Sequence, residues 1–230
     1  MSVSEPQSKF VRLGDLDLHY LEWGEPGKPP MVFLHGWGDT AWLFKRLALL
    51  FKETYQVFAL DLRGHGETSQ DEPGQRPQSA SIEDLGNFLH QLDLREVVLV
   101  GYSYGGTIAH RYVADHPERL KALAIIDIGI NNTAVTFDPT ASPEKVQASV
   151  ERAWERFRKL KLPTLVIQAE QSHLLQLEMA QQMVAAIPGG HLAVIKEADH
   201  KIFRRYTEVA EALHNFLELI SQPASPGLLP

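Results

Sequence analysis

The chain has 230 residues, 44% of them apolar and 22% charged, with 22 basic against 29 acidic side chains for a net charge of −7. These are the proportions of one globular domain, which excludes fibrous and wholly disordered chains. The excess of carboxylates provides no counterion-release drive toward nucleic acid and no pull toward anionic lipid, so neither is expected as a partner.

There is no cysteine, which removes disulfides, thiolate metal sites and cysteine nucleophiles together. No cationic patch followed by an apolar stretch opens the chain, and no segment approaches the roughly 18 uninterrupted apolar residues of a membrane span. A cytoplasmic protein is the expectation.

After a polar lead, residues 1–9, residues 10–23 alternate apolar and polar side chains around Gly14-Asp15 and predict an antiparallel hairpin. Residues 31–34 are a short continuous apolar run, the pattern of a parallel strand covered on both faces. A helix follows over 41–52, with Trp42, Leu43, Leu47 and Leu50 along one side, and then a strand over 55–60. Ser81, with Asp84 three residues on, reads as a capping box opening a helix striped by Ile82, Leu85, Leu89 and Leu92. Strands at 97–100 and 123–128 flank a helix at 104–114, and Ser142 caps a helix at 143–160 that turns Val146, Val150, Trp154 and Phe157 inward. Strands at 165–168 and 192–195 and helices at 174–186 and 208–220 complete the series, and residues 221–230, with three prolines, read as a loose tail.

Repeated strand and helix units with buried strands predict an α/β fold: a mostly parallel, doubly wound sheet entered through an antiparallel hairpin, in one domain over residues 10–220. Ligands of such sheets sit at the carboxyl ends of the strands. That is where Gly101-Tyr102-Ser103-Tyr104-Gly105-Gly106 falls, between the strand at 97 and the next helix. A serine there occupies a tight turn that lifts its hydroxyl above the sheet, and the helix behind it aims free N–H groups at a developing oxyanion. The plainer reading is a glycine-rich turn that only packs a helix on a sheet.

Four stretches, in this order, carry a resemblance to the α/β-hydrolase superfamily over about residues 10–219. They are Leu34-His35-Gly36-Trp37-Gly38, Asp61-Leu62-Arg63-Gly64-His65-Gly66, the elbow at Ser103, and Ala198-Asp199-His200. The resemblance implies Ser103 as nucleophile and His200 as general base, with the backbone N–H groups of Trp37 and Tyr104 as oxyanion hole. It implies hydrolysis of a small-molecule ester or acyl substrate through an acyl-enzyme, with no cofactor, and the serine excludes members that attack with aspartate or cysteine. His35 and residues 63–66 read as structural. Tyr102, with Trp37 and Tyr104, offers a flat apolar face to substrate or else packs the rim.

The pattern breaks at the acid. Many relatives carry an aspartate a few residues past the strand at 165–168, where this chain has Gln168-Ala169-Glu170-Gln171-Ser172-His173 and the expected position falls on Ser172. Asp127 at the end of the preceding strand and Glu170 are the candidate replacements, with Ser172 as a hydrogen-bond partner without charge; Asp127 ranks first. Without an acid the chain reads instead as an impaired hydrolase-fold binding protein. The cap domain that relatives insert between the strands at 123 and 165 shrinks here to a loop, 129–142, and one helix.

Gly36-Trp37-Gly38-Asp39-Thr40-Ala41 with Asp61 imitates a dinucleotide fingerprint, but the hairpin ahead of it and the motif at Ser103 speak against that. No histidine and carboxylate pair has the helical spacing of a metal site, so no metal is implied. Nothing in the residues sets an oligomeric state.

Overall fold

A computed structural model describes residues 5–68, 78–130 and 142–222. Eight strands form one sheet in the order β1-β2-β4-β3-β5-β6-β7-β8. β1 (Gln7–Leu13) and β2 (Leu16–Trp23) are the predicted hairpin, pairing antiparallel from Leu13 with Leu16 out to Gln7 with Glu22. Since β1 starts at Gln7, the expected polar lead is shorter than nine residues. β2 also runs antiparallel to β4 (Gln56–Leu60), and from there β3 (Pro30–Leu34), β5 (Val97–Tyr102), β6 (Leu120–Ile126), β7 (Thr164–Ala169) and β8 (Gly190–Ile195) are all parallel.

Strands without polar alternation must be covered on both faces, and two apolar layers do this. One holds Val32, Leu34, Leu99, Ile125 and Val166 under α2 (Gln78–Gln91), α3 (Tyr104–Asp115), α4 (Pro143–Lys159) and α5 (Leu177–Ala186). The other holds Met31, Phe33, Val98, Val100 and Ile167 under α1 (Lys45–Phe51) and α6 (Tyr206–Ser221). Each fully buried Phe or Leu of this kind contributes about 1.5–3 kcal/mol relative to exposure.

Several local expectations shift. The segment at 41–52 begins as a 3-10 turn (Ala41–Phe44), and the offset turns Phe44, Leu47, Ala48 and Phe51 inward while Trp42 and Leu50 face out. Ser81 does not cap a helix, because α2 already starts at Gln78; Ser81 is buried beside the Tyr104 hydroxyl, and Asp84 accepts from Nη2 and Nε of the Arg63 guanidinium at 2.6 and 2.8 Å. Ser142 does cap α4, its hydroxyl accepting the Lys145 N–H. The expected cap-replacing loop lies mostly outside the described residues, as does most of the C-terminal tail, although Ser221 still belongs to α6.

Asp61 is buried and already engaged within the fold. Its buried carboxylate accepts from the N–H groups of Ala41 and Glu67 and from His19 Nδ1 at 2.6, 2.9 and 2.7 Å, which ties β2, β4 and the loop before α1 together. The dinucleotide likeness is therefore a packing device.

Candidate active site

β4 lies on one side of β3 and β5 on the other, so the chain reverses its winding direction between β3 and β5. At such a switch point the loops leaving two neighbouring strands diverge and open a crevice. Leu34 pairs with Gly101, Tyr102 with Ile126, Ile126 with Ile167 and Ala169 with Ile195, which brings the residues that follow β3, β5, β6, β7 and β8 to one edge of the sheet.

Ser103 sits at that edge with φ 50° and ψ −115°, a conformation few L-residues adopt. Glycine neighbours make the turn sterically feasible: a Cβ on Gly101 would lie 2.6 Å from the Gly106 Cα. The turn is held by the Ser103 N–H donating to Ile126 and the Gly105 N–H donating to His35, each at 3.0 Å. Tyr104 opens α3 directly behind the serine, and Trp37 follows β3.

Asp127 is fully buried at φ 49°, immediately past β6, its own N–H donating to Ile167 on β7. Its Oδ2 lies 2.7 Å from His200 Nδ1, and His200 Nε2 lies 3.2 Å from Ser103 Oγ. A buried carboxylate is costly unless each oxygen is served. Oδ1 accepts the Ala169 N–H at 3.2 Å, and Oδ2 accepts the Ser172 hydroxyl at 2.7 Å as well as the imidazole. Ser172 thus stands where an acid was expected and serves as a donor to the acid that comes from the neighbouring strand.

Glu170 is turned away. Its carboxylate takes Lys196 at 2.6 Å and the Glu197 N–H at 2.8 Å, and these two donors, the N–H first, hold it below the usual glutamate range. Glu197 in turn is paired with Arg205 at 2.7 Å. These contacts, with the Gln171 N–H bonded to Ala198 at 2.7 Å, fasten the loop after β7 to the loop that carries His200.

Tyr102 is buried, and its hydroxyl donates to the His200 carbonyl at 2.7 Å while its ring meets Phe203 edge-on. Burial foremost, then Asp39, Asp127 and Asp199, push that phenol well above its ordinary range, so it stays a donor. Tyr102, expected to bind substrate, thus packs against the His200 ring at 5.1 Å and holds the His200 loop. Trp37 is 52% exposed and meets the rings of His65 and Tyr104 edge-on at 5.3 Å each, so of the three aromatics it is the one that offers a face to solvent. Asp39, noted in the sequence only within the dinucleotide-like stretch, lies beside the same loop; burial raises its carboxyl against the lowering pull of His200, His65 and Lys201.

His35 is a bridge. Its Nδ1 donates to Gly36 and its Nε2 accepts the Leu62 N–H, and burial lowers its pKa to about 4. His110, buried in α3, is lowered to about 3 for the same reason. Each binds a proton in the unfolded chain near pH 6.5 and not in the folded one, so stability falls with acid below that pH and levels off under the folded values. The expected loss is about 1.4 kcal/mol per pH unit for each histidine near pH 5, read from urea midpoints; His35→Gln, if it folds, removes its own share of that slope.

Mouse epoxide hydrolase 4 is 36% identical over 123 residues, which is 51% of this chain and 34% of that protein. The mouse serine hydrolase-like protein is 25% identical over 191 residues, 83% of this chain and 58% of that one. The matched part of the chain thus spans about a third to three-fifths of the length of these curated relatives. Among solved structures, one described as a putative lipase from Acinetobacter baumannii superposes with a TM-score of 0.81 at 20% identity, covering 95% of this chain and 93% of that one. Residues 29–147, with β3, the loop carrying Trp37 and the elbow at Ser103, match the alpha/beta hydrolase fold family, and the chain belongs to that family of hydrolases.

Proposed function

We propose that the protein is a serine hydrolase of carboxylic esters or thioesters, and the observation that carries this is the unbroken relay from Asp127 through His200 to the Ser103 hydroxyl, 2.7 and 3.2 Å long. Ser103 Oγ attacks the acyl carbon as its proton passes to His200 Nε2. The N–H groups of Tyr104 and Trp37 receive the oxyanion, the imidazolium protonates the departing alcohol or thiol, and water repeats the sequence on the acyl-serine. Asp127 orients the ring with its proton on Nδ1 and offsets the charge it gains.

The names of the relatives divide between epoxide and serine hydrolases. A serine that opened an epoxide would be left as an ether, with no carbonyl through which water could release it, whereas an acyl-serine hydrolyses by the step that formed it. The serine therefore supports acyl transfer. The alternative, an impaired hydrolase-fold binding protein, rested on the missing acid together with the reduced cap, and the contact between Asp127 and His200 weighs against the first of these.

The test is labelling with a fluorophosphonate probe together with turnover of a short p-nitrophenyl ester. Both are expected for the wild type and neither for Ser103→Ala; labelling and turnover that survive the substitution would refute the assignment.

A further inference from the structure

The two edges of the sheet are unlike. β1, at one edge, carries Lys9 and Arg12, tied to Glu22 and Asp17 on β2 at 2.6 and 2.7 Å. Charged side chains on an edge strand oppose pairing with another chain. β8, at the other edge, runs Gly190-His191-Leu192-Ala193-Val194-Ile195, without a lysine, arginine, carboxylate or proline. Among the described residues it pairs with β7 alone. The Thr164 N–H donates to Gly189 and the Glu170 N–H to Ile195. Main-chain groups alternate between the two sides of a strand, so His191, Ala193 and Ile195 spend theirs on β7, whereas Leu192 and Val194 point theirs out of the sheet. α5 lies over β7 and β8 beside this edge. Its Ala180 and Met183 face the sheet, and its Gln182, Ala185 and Ala186 line a groove with Trp154 and Arg158 of α4. Helical spacing leaves Leu177, Gln181 and Val184 on the flank above the free edge of β8, and none of them is charged. Leu177 is 39% exposed there.

We propose that β8 is a dimer interface, at which a second copy of this chain pairs antiparallel about a two-fold axis through Ala193 and joins the two sheets into one. Self-complementarity favours a copy over any other occupant. In this register Leu192 exchanges both outward main-chain bonds with the partner's Val194, and Val194 with the partner's Leu192. Lys196, the first charged residue past the strand, falls opposite the partner's Gly190 instead of a second lysine, and its ammonium is already paired with Glu170 at 2.6 Å. Neighbouring registers are worse. One centred on Leu192 brings Pro188 to the ladder, where it has no N–H to donate, and one centred on Val194 sets Lys196 against the partner's Leu192. The same axis lays α5 antiparallel to the partner's α5. With strands about 4.8 Å apart, helices seated between β7 and β8 lie roughly 10 Å from each other, the spacing of packed helices, and Leu177, Gln181 and Val184 fill the seam. Antiparallel pairing sends the two Ser103 sites to opposite ends of the joined sheet, each complete within one protomer.

Sedimentation velocity at tens of micromolar is expected to show a dimer. Val194→Pro removes an outward N–H that β7 does not use, so it should weaken the dimer at least tenfold with circular dichroism unchanged. Cysteine reads the register, because the chain has none of its own. Ala193→Cys places a thiol opposite its counterpart at a non-hydrogen-bonded position, where Cα atoms lie about 4.5 Å apart, inside the range a disulfide spans. Diamide should convert most of that protein to a covalent dimer on a denaturing gel. His191→Cys faces the partner's Ile195, more than about 12 Å from its own counterpart, and should stay monomeric on the same gel. The cysteine pair needs no proline and decides the matter even where Val194→Pro destabilises the fold. A wild type that sediments as a monomer, a dimer indifferent to a folded Val194→Pro, or equal cross-linking of the two cysteines overturns the interface. So does a monomer that captures an extended peptide along β8.

Discussion

Asp127→Asn is expected to lower kcat for an activated ester by about 10⁴-fold, or about 5.5 kcal/mol, without unfolding the protein. Asparagine fills the same volume and keeps an acceptor for the Ala169 N–H, which now bonds Oδ1 at 3.2 Å. On the other side an NH₂ replaces the oxygen that faces His200 Nδ1 at 2.7 Å. An imidazole opposite a donor turns its lone pair to Nδ1 and carries its proton on Nε2, the nitrogen 3.2 Å from Ser103, where it is unable to accept the hydroxyl proton. Two companions separate this from a general disturbance. Ser172→Ala removes one donor from the carboxylate and should cost several-fold in kcat, in line with about 1 kcal/mol for such a bond. Glu170→Gln, whose carboxylate answers to Lys196 and the Glu197 N–H, should leave kcat within twofold. A kcat for Asp127→Asn within tenfold of the wild type would mean that the acid lies elsewhere.

Gly105→Ala is expected to destabilise the fold by about 3 kcal/mol or more, read as a lower urea midpoint with an unchanged slope. The added methyl would overlap the Leu34 carbonyl and sit 2.7 Å from that of His35. Both neighbours are backbone at the end of β3, a strand paired on both sides, so neither gives way. The remaining relief is for α3 to slide outward. That movement breaks the Gly105 to His35 bond and displaces Ser103 from the imidazole, so residual folded protein should also lose turnover. A stability within about 1 kcal/mol of the wild type would contradict the close packing of helix and strand described above.

The elements read well from sequence wherever the physics is local. Apolar runs at 31–34 and 97–100 become strands buried on both faces, and the glycines around Ser103 mark a turn where helix and strand touch backbone to backbone. Reading fails where a neighbour outside the window decides. Ser81 and Asp84 have the spacing of a capping box, yet Tyr104 and Arg63, both distant in sequence, claim them inside a helix that began earlier. Tyr102 flanks Ser103 in sequence, but its hydroxyl goes to the His200 carbonyl and its ring packs beneath the His200 loop.

By itself the sequence determined the strand and helix series and the tight turn at Ser103, because hydrophobic periodicity and turn sterics act over a few residues, while the expectation that Ser103 pairs with one histidine out of ten came from the family resemblance. Only the tertiary structure decided which carboxylate meets that histidine. Asp127, Ser172 and His200 are separated by 45 and 73 positions and meet because β6, β7 and β8 end in register at one edge, a consequence of strand pairing that no local pattern encodes.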